Sequence, residues 1–491
     1  MCSSDLFGEG GILVNEGAGA VTFGTTTDAW RVPMSLRAQT MGSTQSWINN
    51  SGNLLSFNAN NTVISTNTLG AWIFGGSGDI SLAGVISGSG TNFIKTGSGT
   101  LTLSAANTYA GTTGRFTLTE GRVRVGNDRA FSNGRLVLNG GTLSANSTAA
   151  RSLTNAFELG GDITLGHATD SGALTFVGAG TLTGNRSVTV DSAIVISGAI
   201  GDGGGAYSLT KLGTGPLTLA GANTYSGGTT VGAGALALRA RQAQPGTGTI
   251  TVGADVGIAL GVNDGDAVNY WTTAEVDSLW SGALAGFSLH ADSLVGIDTS
   301  PGDVTYTAAQ SMRGLVKAGT NTLTLTGDST YAGGTRIYNG ALQIGAGGTS
   351  GAIGSGPVLN NATVVVNRAD AYTIPGAISG TGVLVKNGAG TLTLTNSVTQ
   401  GNAILVSAGT LVLSNAAVTS TANVADYVGR LAGDSATLRI EGTTVLQRNQ
   451  NNLILGGAAG ATGVVLMTGG FLTNAGILAV GNTGVGSFIQ T

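Results

Sequence analysis

Proline, cysteine, histidine and charge are all scarce in this chain. Of 491 residues only 6 are Pro, one is Cys and two are His, and charged residues make up 9%, against roughly 25% in an average soluble domain. So little Pro, with no strict Gly-X-Y period, excludes collagen. A single Cys, Cys2, excludes a disulfide framework, and there is no Cys/His spacing for a metal site. The 21 Lys and Arg are spread thinly at a net charge of −4, so no basic stripe exists to hold nucleic acid or an anionic membrane. Apolar runs are too short for a membrane helix. Low charge does not mean disorder, because 41% of the residues are hydrophobic, the reverse of the balance that keeps chains unfolded.

Glycine is abundant, at 85 residues, and it punctuates a repeat. One copy reads Lys95, Gly97, Gly99, Thr100, Leu101, Thr102, Leu103, Asn107, Thr108, Tyr109, Gly111. A second has Lys211, Gly213, Gly215, Leu217, Thr218, Leu219, Asn223, Thr224, Tyr225, Gly227, Gly228, Thr229. A third has Lys317, Gly319, Leu323, Thr324, Leu325, Thr330, Tyr331, Gly333, Gly334, Thr335, with Ser329 in place of the Asn. The fourth keeps Lys386, Gly388, Gly390, Leu392, Thr393 and Leu394 but has Gln400 where the Tyr belongs. A second apolar pair follows each unit, 19 residues after the first Leu in copies two to four and 22 residues in copy one. That spacing is one turn of a solenoid.

In Leu-Thr-Leu the period of two sends both Leu to one face and Thr to the other, and flanking Gly turns the corner into the next strand. The fold predicted is therefore all-β, a right-handed parallel β-helix of about 22 residues per coil with coils ~4.8 Å apart. Leu101, Leu103, Leu217, Leu219, Leu323, Leu325, Leu392 and Leu394 point inward and the intervening Thr outward. Asn107 and Asn223 sit at one corner, where their amides pair with backbone groups of adjacent coils. Residues 1–6 read as translated adaptor DNA rather than native protein, and both ends read as cut. Residues 7–84 form N-terminal coils, 85–252 carry repeats one and two, and 316–420 carry repeats three and four. Residues 421–491 hold a second repeat type, with Gly429, Gly456 and Gly481 opening similar elements. Between them, 253–315 is richer in charge and aromatics, with a helical spacing of Val276, Leu279 and Trp280, and reads as an excursion from the rod.

The four repeat units, at 95–124, 211–240, 317–346 and 386–413, resemble the autotransporter-associated β-strand repeat through their Gly-x-Gly-Thr-Leu-Thr-Leu and Asn-Thr-Tyr-x-Gly-Gly-Thr blocks. The resemblance implies a β-helical passenger exported across the bacterial envelope, a cell-surface or secreted location associated with the outer membrane, and a translocator or anchor outside this stretch. It also implies surface glycans or other cells as partners. The expected function is that of a non-enzymatic structural passenger, adhesin-like in its contacts. The alternative is a polysaccharide-active β-helix lyase or hydrolase, which needs clustered carboxylates or a calcium-plus-Arg site on one face.

No residue earns a catalytic, cofactor-binding or metal-binding role, and no cofactor is expected. The four Lys read as solvated strand-end charges that discourage edge pairing. Tyr109, Tyr225 and Tyr331 read as corner packing rather than a platform for stacking glycans. His167 has Asp170 and Ser171 as neighbours but no nucleophile-elbow pattern around the Ser. Gly433, Asp434 and Ser435 are similar to the nucleophile motif of autotransporter serine proteases, with Ala436 where the oxyanion-loop Gly belongs. Asn263, Asp264, Gly265 and Asp266 could open a calcium loop, but no Glu follows at the twelfth position. Gly75, Gly76, Ser77, Gly78 and Asp79 approach a calcium-binding nonapeptide without a tandem copy. If any stretch recognises a partner, 253–315 is the first choice, through Tyr270, Trp271 and Trp280; the plainer reading makes these a small hydrophobic cap packed on the coils.

Overall fold

A computed structural model describes residues 11–23, 35–37, 44–59, 62–65, 71–89, 92–110, 114–420, 424–448 and 452–491. Residues 1–6, Cys2 among them, lie outside the described residues. Two compact units are present, Met1–Leu236 with Gln242–Thr251, and Ala237–Arg241 with Val252–Thr491.

The first unit is a parallel β-solenoid. A nine-stranded sheet runs from Gly11–Val14 to Ile200–Gly201, taking one strand from each coil, and a second sheet begins at Val21–Phe23. A third face starts as the four strands Ser35–Arg37, Thr62–Ser65, Ile86–Ser89 and Thr108–Ala110, and strands Arg151–Leu153, Leu174–Phe176, Ile194–Ile196 and Pro216–Leu219 form a further ladder. Rungs join residues one coil apart: Leu101 pairs with Val123 and Leu103 with Val125. The predicted alternation holds, with Leu101 and Leu103 buried and Thr102 half-buried between them.

The second unit repeats this logic with one long ladder from Gly257–Gly261, a nine-stranded sheet from Val304–Tyr306 to Leu478–Val480 and a six-stranded sheet from Tyr372–Ile374 to Val485–Gln490. Leu323 pairs with Leu342, and Leu392 with Leu411, which is the 19-residue step of the sequence. All eight Leu of the Leu-Thr-Leu triplets are at most 3% exposed. At roughly 25 cal/mol per Å² of apolar surface removed from water, this stacked aliphatic column is the main stabilising term, and each coil gains it only through its neighbours.

Within 253–315 the strands Gly257–Gly261, Leu294–Asp298, Val304–Tyr306 and Gly314–Ala318 all stay in the ladders. The part that leaves them is narrower. Leu260 pairs with Ile297, a step of 37 residues, whereas Ile297 pairs with Lys317 after 20, and the surplus holds the only α-helix among the described residues, Thr273–Ser281. The helix begins at an N-cap Thr272 in a capping box with Glu275 and ends at Gly282, whose φ of 81° suits a residue without Cβ.

Candidate functional site

The four Lys define the recurring polar feature of the molecule, and they are not solvated. Lys95, Lys211, Lys317 and Lys386 are 2%, 0%, 0% and 1% exposed, which overturns the expectation of strand-end surface charge. Each stands two residues after an inward apolar residue (Phe93, Leu209, Leu315 and Leu384), so the period of two carries it into the interior. The rungs agree: Lys95 pairs with Phe74 and Leu118, Lys211 with Val188 and Val231, and Lys386 with Val366 and Val406.

A buried ammonium needs acceptors, and the corner provides them from its own backbone. Lys317 Nζ donates to Ala318 O at 2.8 Å, Gly319 O at 2.8 Å and Asn339 O of the next coil at 3.0 Å. Lys386 does the same with Asn387 O at 2.7 Å, Gly388 O at 2.8 Å and Ala408 O at 3.1 Å. Lys95 donates to Thr96 O and Gly97 O, both at 2.6 Å, and Lys211 to Leu212 O at 2.9 Å and Gly213 O at 2.7 Å. Each Lys thus ties down the turn that follows it. The glycine of the next coil makes room: a Cβ on Gly121 would lie 2.6 Å from Lys95 Nζ, and one on Gly234 would lie 2.9 Å from Lys211 Nζ. Burial pulls the ammonium of Lys95, Lys317 and Lys386 down to about 8 and that of Lys211 to about 7, partly opposed at Lys317 by Asp298 and Asp303.

The Tyr pack in the interior, Tyr225 and Tyr331 at corners as predicted and Tyr109 within the strand Thr108–Ala110. Tyr109, Tyr225 and Tyr331 are at most 2% exposed, so none offers a stacking face. The motif spacing has a physical cause: Tyr225 Oη shares a hydrogen bond with Thr229 Oγ1 at 2.6 Å, and Tyr331 Oη with Thr335 Oγ1 at 2.8 Å. The Thr that closes each Gly-Gly-Thr block is the partner of the Tyr four residues earlier. The two Asn behave as expected, since Asn107 accepts from Ile86 N at 2.8 Å and donates to Ala130 O at 2.6 Å, and Asn223 accepts from Ile200 N at 2.9 Å and donates to Ala243 O at 2.8 Å.

Trp271 and Trp280 are each 2% exposed and Tyr270 is half-buried, so the two tryptophans of the excursion pack rather than present themselves. Val276, Leu279 and Trp280 lie on the buried side of the helix, which packs against Leu294–Asp298. Ala259 and Val316, on the face of that ladder away from Lys317, are fully buried. Polar contacts fasten the helix down. Arg241 bonds Glu275 at 2.5 Å and lies 6.0 Å from the Trp271 ring centre, and Tyr306 Oη donates to Asp277. The Trp280 ring lies 6.2 Å from Tyr306 and 6.4 Å from Tyr331, centre to centre.

The remaining candidates resolve into turns and ion pairs. Asp170 is held by Arg122 at 2.5 Å and Arg124 at 2.9 Å. Partial burial raises its pKa, but the hydrogen bonds and charges of the two guanidiniums more than offset this and hold it below the ordinary carboxylate value. His167 Nδ1 instead meets Thr169 Oγ1 at 3.0 Å, so His167, Asp170 and Ser171 form no relay. Asp434 accepts from Arg430 N and Leu431 N at 2.9 and 2.8 Å, closing the turn in front of the strand that Ser435 opens. Asp79 accepts from Thr100 N one coil on, at 2.8 Å. Asp264 bonds Thr273 N at 2.7 Å and Asp266 bonds Asn269 Nδ2 at 2.9 Å. Among the described residues no group of three or more His, Cys, Asp or Glu is placed to hold a metal ion. Sequence reasoning missed the Arg122–Arg124–Asp170 cluster, whose members are 46 and 48 residues apart, and the inward Lys, which the alternation alone would have found.

Parallel coils with inward Lys corners belong to a β-solenoid repeat protein that is similar to autotransporter passengers. The family model for the passenger-associated transport repeat matches residues 93–125, 209–238, 315–344 and 384–413, and every match contains one buried Lys. The chain is also 30% identical over 216 residues to the adhesin BmaC autotransporter of Brucella suis biovar 1 (strain 1330). That likeness covers 43% of this chain and 6% of the relative, so the chain spans a small fraction of that protein's length. No solved structure matches the chain.

Proposed function

We propose that this chain is a stretch of a surface passenger, exported through a bacterial envelope, that serves as a non-enzymatic structural and adhesive element. The observation that carries the reading is the recurrence of one buried-Lys corner in all four passenger repeats. A corner built from a single ammonium and its own backbone needs no disulfide, metal or cofactor to close, which suits folding after export. The adhesin named among its relatives supports the adhesive part.

Placing residues 7–491 between a signal peptide and an outer-membrane translocator barrel in a laboratory bacterium tests this. The chain is expected at the cell surface, accessible to antibody and removed by external protease, with more cells retained on a coated surface than for the barrel alone. Retention in the periplasm would overturn the passenger reading. Display without any gain in retention would overturn the adhesive part, and release of reducing ends from a polysaccharide panel would overturn the non-enzymatic part.

A further inference from the structure

Beside the helix in the second unit, two successive corners enclose a cleft of about 260 Å³ lined by Val262, Asn263, Asp264 and Gly265 on one side and by Pro301, Gly302, Asp303, Val304 and Thr305 on the other. Its side chains are held in place by one set of atoms and keep another set free. Asp264 is fixed by Thr273, Asp303 Oδ1 accepts from Thr322 N at 2.7 Å, and Asn263 Oδ1 accepts from Gly265 N at 3.1 Å. Asp303 Oδ2, Asn263 Nδ2 and Thr305 Oγ1 take no hydrogen bond among the described residues, and Asp303 and Thr305 are exposed.

We propose that this cleft binds one uncharged sugar unit of a glycan. The chemistry selects by elimination. No Lys or Arg lines the cleft and two carboxylates do, so an anionic ligand is repelled. A calcium ion needs six to eight converging oxygens, whereas the residues here include no group of acids placed to hold a metal. A neutral polyol fits what is left: the free carboxylate oxygen accepts from a hydroxyl, the amide donates to one, the Thr hydroxyl does either, and the half-buried Pro301 offers apolar contact to the ring's C–H face. The volume lies just below the range of sites for drug-sized molecules, so one ring is held, and adhesion would draw on many such contacts. The loop that supplies Asn263 and Asp264 is the part of the chain released from the ladder, where side chains are not committed to stacking.

The inference rests on the surface-passenger reading for where a glycan is met, but not for whether the cleft binds one, so purified full chain decides it independently of display. The probes are the methyl glycosides of glucose, galactose, mannose and N-acetylglucosamine, read by saturation-transfer NMR. Transfer to the ring protons of at least one glycoside is expected in the native chain and is expected to vanish in the Asn263→Ala, Asp303→Asn double variant. Asn at 303 keeps an oxygen for Thr322 N, so the corner survives; should the double variant lose its β circular dichroism, Thr305→Val gives the same readout from an exposed side chain. No transfer from any of the four glycosides, transfer undiminished in the variants, or calorimetric heat with calcium chloride and none with the glycosides would each overturn the proposal.

Discussion

Lys317–Thr335 and Lys386–Ile404 are two copies of one corner, and among their differences is one linked pair. Both bury the Lys and both cap three carbonyls with it. In the third copy Tyr331 then reaches Thr335. In the fourth, Gln400 replaces the Tyr and Ile404 replaces the Thr, so the lock is lost from both ends at once. Gln400 is fully buried and neither its oxygen nor its nitrogen finds a partner. The ammonium–carbonyl pairing is therefore the part that all four copies share, and the Tyr–Thr bond is a second fastening made in copies two and three; in the fourth its loss leaves an unsatisfied amide, and in the first Tyr109 Oη has no partner among the described residues.

The third copy also differs in what covers it, because Trp280 of the helix lies against Tyr306 and Tyr331. Trp280→Ala removes the largest side chain of that cover and should cost about 3–5 kcal/mol. Amide exchange should rise in Thr273–Ser281 and around Tyr331, while the Lys386 corner stays protected. Equal loss of protection at both corners would show that the helix is not local to the third copy.

Breaking the shared element should have a smaller effect. Lys317→Met keeps the volume but leaves Gly319 O and Asn339 O without their donor, worth about 1–3 kcal/mol in urea unfolding at neutral pH. The pH dependence gives a second readout. Folding lowers Lys317 from its usual 10.5 to about 8, so between those values the unfolded chain binds more protons and the stability of the native chain rises with pH. That contribution is lost as pH falls through about 8. The tyrosines act in the opposite sense, since burial raises Tyr331 above its ordinary value of 10.0 and the stability of its neutral form fades above that pH. From pH 8 to about 9.5 the gap between native chain and Lys317→Met should therefore widen, and a constant gap would mean that Lys317 keeps its ordinary affinity for protons.

Sharpening the comparison asks for a repair. Gln400→Tyr with Ile404→Thr installs the missing lock in the fourth copy and removes the buried unsatisfied amide, with an expected gain of about 1–2 kcal/mol in urea unfolding. Either substitution alone should gain less than the pair, since each leaves a polar group without its partner. A double variant whose effect equals the sum of the two singles would show that the two positions do not meet.

Much of this was legible along the chain. Leu101-Thr102-Leu103 and its copies fixed the strands and their faces through the period of two, and the 19-residue and 22-residue steps fixed which residues share a rung, because a solenoid turns sequence distance directly into stacking. The Asn corners followed for the same reason. The burial of the Lys was also encoded in that alternation, but their charge argued for solvent, and only the coil's own carbonyls show how the charge is satisfied inside.

What only the tertiary structure decided is whatever joins residues by packing across the repeat rather than along it. Arg122, Arg124 and Asp170 meet because two further coils bring them to one surface, and no spacing rule announces that. Trp271 and Trp280 carried the composition of an exposed recognition patch, yet the helix they belong to has an apolar side and the ladder beneath it offers Ala259, Gly296 and Val316, so burying them removes apolar area from water on both surfaces. The cleft beside them exists only because the corners after Gly261 and after Asp298 come to lie side by side. Local alternation is a property of each strand and can be read from it; the filling of an outer face and the meeting of two loops depend on what else the folded chain brings there.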